Sequence, residues 1–155
     1  ITYGGDAMNA AIKNMVDIKY GFKISEQDSK KLKEEIGSAD IKKAKSLGSI
    51  TVKGIDKSTG LPAMVDIQAE DVSTALKGPI DRIIEAIQTT LEDTLPELVS
   101  DIVDRGIVLT GGGAKIKNLD SYLADVLRVP VFVAKDPQHA VIKGLGEILK
   151  FNDLK

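Results

Sequence analysis

The segment Ile107-Val108-Leu109-Thr110-Gly111-Gly112-Gly113 narrows what this chain can fold into more than any other. The aliphatic run from Gly106 to Thr110 reads as a short buried strand. Three glycines in a row cannot extend it, and beyond them Leu119, Tyr122, Leu123, Val126 and Leu127 recur at helical spacing. A second short strand follows at 129–133. A last helix, from about Pro137 to Lys150, carries Val141, Leu145, Ile148 and Leu149 on one side. Strand, helix, strand, helix predicts an α/β layer with its two strands parallel.

The glycines sit where an α/β sheet binds ligands, at the carboxyl end of a strand. Without side chains the backbone can approach a ligand closely. The N–H groups of the loop and of the helix start would then face an anion or a nucleotide. The loop is not a Walker A motif, and it fails the dinucleotide fingerprint because the third glycine would fall on Ile116. A strand-to-helix turn that simply requires small residues fits the same spacing.

The preceding half is more helical. Gly4-Gly5 predicts a turn, Asp6 an N-cap, and Met8, Ile12, Met15 and Val16 one apolar face ending at Gly21. A second helix opens at Ser25, whose partner Asp28 resembles a capping box, and closes at Gly37. Residues 38–48 are polar and lysine-rich and predict a surface loop. Ile50 and Val52, a turn over 56–60, then Val65 and Ile67 predict a β-hairpin. Helix resumes near Glu70. Pro79 marks either a new first turn or a bend, and Pro96 starts a further short helix.

Lys30, Lys31 and Lys33 with Glu34 and Glu35 read either as a solvated charged face or as a ligand-facing one, since Lys30, Lys33 and Gly37 share a face. His139 stands alone and reads as structural or solvated. No Ser-His-Asp order, zinc spacing or nucleophile elbow is present. With 21 Lys plus Arg against 23 Asp plus Glu, the net charge of −2 argues against a nucleic-acid binder. The absence of cysteine excludes disulfides and thiolate metal sites.

Several segments together resemble the second domain of the MreB family of bacterial actins. They are Gly4-Gly5-Asp6, Ile36-Gly37-Ser38-Ala39, the hairpin over 54–62, the run from Pro96 through Gly113 to Ala114, and Asp136-Pro137 with the helix through Gly146. The resemblance covers essentially all 155 residues. It implies an α/β, actin-like (ribonuclease H-like) second domain. A helical outer lobe with the β-hairpin would occupy residues 1–75, and an α/β inner lobe ending in the interdomain helix would occupy residues 76–155.

The same resemblance implies ATP or ADP with Mg²⁺ held between two domains, and polymerisation into membrane-associated cytoplasmic filaments that guide cell shape and wall synthesis. Its partners would be further copies of itself, a first domain and a RodZ-type transmembrane protein. Gly111, Gly112, Gly113 and Ala114 match the family's adenosine motif, and Lys30 to Lys33 its adenine-side helix. Lys33 fits the family's Glu-x-x-Lys. Lys30 replaces the Glu, and a lysine cannot accept a hydrogen bond, so adenosine recognition by this helix is expected to be weakened or rearranged.

The chain reads as a fragment truncated at its N-terminus. Only the exit strand of the second phosphate loop would survive, near Ile1 to Tyr3. No catalytic residue and no metal ligand is assigned, and ATPase activity is expected of a full-length parent rather than of this chain. Two other readings keep the fold: a non-catalytic interaction or scaffold module, and a domain of an Hsp70-type or sugar-kinase-type ATPase.

Overall fold

The computed structural model describes residues 4–152, with side chains through Leu149; the expected strand near Ile1 to Tyr3 lies outside these residues. Helix α1 spans Gly5–Met15 and continues as a π-helical turn, Val16–Tyr20, that stops at Gly21 in the left-handed region. Its N-cap is Gly4, with no side-chain cap, and not the expected Asp6. Asp6 sits inside the first turn, where its charge still complements the helix dipole. Met8, Ile12 and Val16 are buried, as their spacing predicts.

Strand β1, Phe22–Ile24, has no counterpart in the sequence reading, because three residues between Gly21 and Ser25 are too few to show an alternation. Helix α2, Glu26–Ile36, is capped as expected: Ser25 Oγ accepts the Asp28 N–H at 3.0 Å. The loop expected over 38–48 is partly helical. Asp40 Oδ1 accepts from Lys42 N at 2.9 Å and Lys43 N at 3.4 Å, which caps the single-turn helix α3, Ile41–Ala44. A 3₁₀ turn, Lys45–Leu47, follows. One turn is too short to display a period, and only Ala44 in it is buried.

The hairpin forms as expected. Strand β2, Ser49–Asp56, pairs antiparallel with β3, Pro62–Gln68, and its other edge pairs with β1. Helix α4 runs unbroken from Ala69 to Glu92 with Pro79 inside it, so the proline starts no new helix. The ring removes one hydrogen bond, but Val72, Leu76, Ile80 and Ile84 are buried on either side of it and hold the helix against α1 and α2. At 24 residues, α4 is about 36 Å long. It passes through residues 75 and 76 without interruption, and one hydrophobic cluster extends from Met8 to Val131.

Helix α5, Pro96–Arg105, leads into β4, Ile107–Leu109; helix α6, Leu119–Leu127, leads into β5, Val131–Val133. The two strands are parallel, with Ile107 opposite Val131, as the alternation predicts. Strand β4 is not the buried strand expected. Val108 is 60% and Phe132 54% exposed, because side chains alternate across a two-stranded sheet and only Ile107, Leu109 and Val131 turn toward the core. Helix α7, Ala140–Asn152, carries the expected apolar stripe, but Val141, Leu145, Ile148 and Leu149 lie 56–67% exposed.

Candidate functional site

A cleft of about 480 Å³ opens between α2 and the turn after β4. Lys30, Lys33 and Glu34 line it from α2; Gly112, Lys115 and Ile116 line it from the turn, and Gln138 from the loop before α7. Three of the six candidate residues, Lys30, Lys33 and Gly112, therefore meet in one place. Gly111, Gly113 and Ala114 shape the turn itself.

Gly111 adopts φ +82°, a conformation in which a side chain would be strained. Its N–H donates to Pro137 O at 2.6 Å, which brings the loop before α7 against the turn. The chain then closes a 3₁₀ turn, Gly112–Lys115, with Ala114 buried behind it. Lys115 Nζ donates to Gln138 Oε1 at 2.7 Å across the floor of the cleft.

On the opposite wall, Lys33 is buried although it carries an ammonium group. Its Nζ donates to Gly5 O at 3.1 Å. Burial pushes its pKa below the ordinary lysine value, against the opposing pull of Glu34. Lys30 is exposed, with its Nζ 4.0 Å from Glu34 Oε1. The wall thus offers two cations and one carboxylate acceptor.

The sequence singles out Lys30, Lys33 and Gly112 but does not place Glu34, Lys115, Ile116 or Gln138 beside them. Glu34 follows Lys30 by one helical turn, so the i,i+4 rule could have found it. Lys115 and Ile116 continue the glycine turn directly. Gln138 carried no signal, because the contacts that bring it to the cleft, Gly111 N–H to Pro137 O and Lys115 Nζ to Gln138 Oε1, join segments distant in sequence. His139, exposed, has its Nδ1 3.0 Å from Asp136 Oδ1, and Lys143 Nζ donates to Asp136 Oδ2 at 2.6 Å. These contacts tie down the start of α7 and take no part in the cleft.

The arrangement is an α/β layer with a glycine turn facing a lysine-bearing helix, and it places the chain among actin-like folds. The crystal structure of MreB5 of Spiroplasma citri bound to ADP superposes with a TM-score of 0.90 at 29% identity, over 97% of this chain and 45% of that one. The MamK double helical filament, at 23% identity and a TM-score of 0.71, shares the fold. A family model described as MreB/Mbl protein matches residues 1–155, and the chain belongs to that family.

Among curated relatives, the cell shape-determining protein MreB of Pasteurella multocida is 38% identical over 154 residues, 99% of this chain and 44% of its own length. The cell shape-determining protein Mbl of Bacillus cereus is 38% identical over 150 residues, 97% of this chain and 44% of its own length. The chain therefore spans less than half the length of these relatives.

Proposed function

We propose that this chain is one wall of the nucleotide site of an MreB-type filament protein, binding the adenosine part of ATP or ADP between α2 and the glycine turn. The observation that carries the reading is the cleft where Lys30, Lys33 and Glu34 meet Gly112, Lys115 and Ile116. Backbone at Gly112 admits a flat ring, Ile116 supplies an apolar surface, and Glu34 supplies the acceptor that Lys30 cannot. The adenosine assignment extends to Gly111, Gly113 and Ala114, which give the turn its shape.

Phosphoryl transfer needs phosphate clamps, Mg²⁺ and a positioned water together, and we assign none of these to residues of this chain. Among the described residues, no three His, Asp or Glu side chains cluster as metal ligands. In the full-length protein, ATP would bridge this half to a first domain and favour the polymerising arrangement. A ligand does this by binding one of two states more tightly.

The same reading places the protein in cytoplasmic, membrane-associated filaments serving cell shape, with a RodZ-type transmembrane partner. Residues 1–75 would form the outer lobe and 76–155 the inner lobe, with α4 common to both. The exposed apolar face of α7 would meet the first domain, because apolar patches of this kind mark interaction sites.

A second reading, a scaffold module that keeps the fold without nucleotide chemistry, is favoured by Lys30 alone. Calorimetry with ADP on the full-length protein separates the two, using Gly112→Val as the control. A Cβ at Gly112 meets only Gln138 Nε2, at 3.6 Å, and that residue itself lines the cleft. The substitution should leave the fold intact and weaken ADP at least about tenfold by filling the cleft. Unchanged affinity, or no ADP binding by the unsubstituted protein, would overturn the reading. The filament assignment fails if the full-length protein stays monomeric in ATP-dependent sedimentation.

A further inference from the structure

The two walls of the cleft come from segments about 80 residues apart, and no strand ladder joins them. Among the described residues, their backbones meet at an isolated parallel bridge between Ser38 and Lys117, where Ala39 N–H donates to Lys117 O at 2.9 Å. Ser38 lies four residues beyond Glu34, and Lys117 directly follows Ile116. The junction is therefore a few residues from both walls.

Its chemistry is dense for so small a contact. Ser38 is fully buried, and its hydroxyl uses its whole capacity of one donor and two acceptors. It donates to Asp40 O at 3.0 Å and accepts from Asp40 N at 3.1 Å and from Asn118 Nδ2 at 3.0 Å. The Ser38 N–H donates to Ser73 Oγ at 3.0 Å, which anchors the junction to α4. Lys117 Nζ donates to Glu35 O and so places a cation at the C-terminal end of α2. Asn118 holds φ +59°, a left-handed conformation that asparagine tolerates better than most residues.

We propose that Ser38, Lys117 and Asn118 form a stitch that sets the distance between α2 and the glycine turn, and that they are positioning residues for the nucleotide. The assignment of a nucleotide rests on the reading above; the stitch as a spacer does not. Losing Asn118 Nδ2 frees Ser38 Oγ from the inner segment and leaves the Ala39–Lys117 and Lys117–Glu35 bonds across the junction, which loosens the spacing of the walls while α2 and α6 persist.

Two substitutions test this. Asn118→Gly keeps the left-handed backbone and removes the amide. Asn118→Asp keeps the shape, but a carboxylate cannot donate to Ser38. Spin labels on cysteines introduced at exposed Lys31, on α2, and Asp125, on α6, report the spacing; this chain has no cysteine of its own. Both variants should lengthen or broaden the label–label distance, and an unchanged distribution would overturn the proposal.

The functional readout is the ratio of ADP to N6-benzyl-ADP affinity in the full-length protein, measured below its thermal transition. A wider cleft should weaken ADP by about tenfold and the enlarged base less, so the ratio falls. A purely structural role would shift both equally, and an unchanged ratio would refute the positioning role. If the unsubstituted protein binds neither nucleotide, the nucleotide reading fails, and the label distances still decide the stitch.

Discussion

Gly37 offers the sharpest test of how α2 is seated, because two accounts of this glycine predict opposite signs. Its φ of −73° and ψ of 131° are open to any residue, so conformational freedom does not explain it. On that ground alone, Gly37→Ala should stabilise the protein by about 0.4–1 kcal/mol by restricting the unfolded chain. Space argues the other way. A Cβ at Gly37 would stand 2.3 Å from Lys33 O and 2.9 Å from Leu76 Cδ1. Leu76 is fully buried in α4 and has no room to withdraw. Lys33 O is backbone, and it accepts the Gly37 N–H at 3.1 Å.

Relieving the Leu76 contact means lifting the end of α2 off α4, an overpacking cost of about 1–3 kcal/mol; the Lys33 carbonyl contact lies within the last turn of α2 itself and is relieved only by shifting the backbone at Gly37. The steric terms win, and the net change should be a destabilisation of about 1–3 kcal/mol. Urea unfolding followed by circular dichroism measures it as a lower midpoint with an unchanged slope. Leu76→Ala in the same background should not restore stability, since it leaves the backbone contact and opens a cavity. A Gly37→Ala protein as stable as the parent, or more so, would refute the close-approach reading.

Two pH dependences accompany it. Lys143 and His139 hold Asp136 down to a pKa of about 2. Its contribution is therefore present above the unfolded value near 3.8 and is lost as pH falls toward 2. Asp136→Asn should flatten the thermal midpoint between about pH 4 and pH 2 relative to the parent; parallel curves would exclude the interaction. Burial, together with the hydrogen bond it donates to Asp71, pushes Tyr20 up to about 12. The unfolded phenol ionises first, near 10, so stability should fall as pH rises from 10 toward 12. Tyr20→Phe should lessen that alkaline loss, and ultraviolet titration of the phenolate in the parent should show a high-pH phase.

What could be read from the sequence, and what could not, divides by length scale. Helices α1 and α4 bury a periodic face of several residues and α6 buries Leu119 and Leu123 one turn apart, and the β2–β3 hairpin alternates over enough positions to count, so pattern finds these elements, though not that α4 runs unbroken through Pro79. Strand β1 and helix α3 are three and four residues long. They exist because β2 offers β1 an edge and Asp40 caps α3, and neither cause is periodic. The exposure of Val108 and Phe132 escaped because a short aliphatic run looks the same whether one face of its sheet is covered or both. At the cleft, the glycine turn and the lysines of α2 stood out in the sequence by residue type and spacing, each open to a bland reading as a turn or a solvated face. Gln138 and the Ser38–Asn118 contact did not, since they depend on hydrogen bonds that bridge 23 and 80 positions of sequence.

The departure at Lys30 looks different once the helix is in view. One turn of α2 carries a side chain about 6 Å along the axis and returns it to the same face. Glu34 therefore lines the same cleft as Lys30, and their charged ends stand 4.0 Å apart. A carboxylate acceptor is thus present, moved one turn toward Gly37 and the Ser38 junction. Lys33 completes the logic from the other side. Its ammonium, largely buried at the edge of the cleft, donates one bond to Gly5 O, and burial already weakens its hold on the proton. An anionic ligand entering the cleft would favour the charged form again. Lys33 is thus a buried cation whose charge an incoming nucleotide would stabilise, and the junction at Ser38 lies a few residues beyond it, between α2 and the segment that follows the glycine turn.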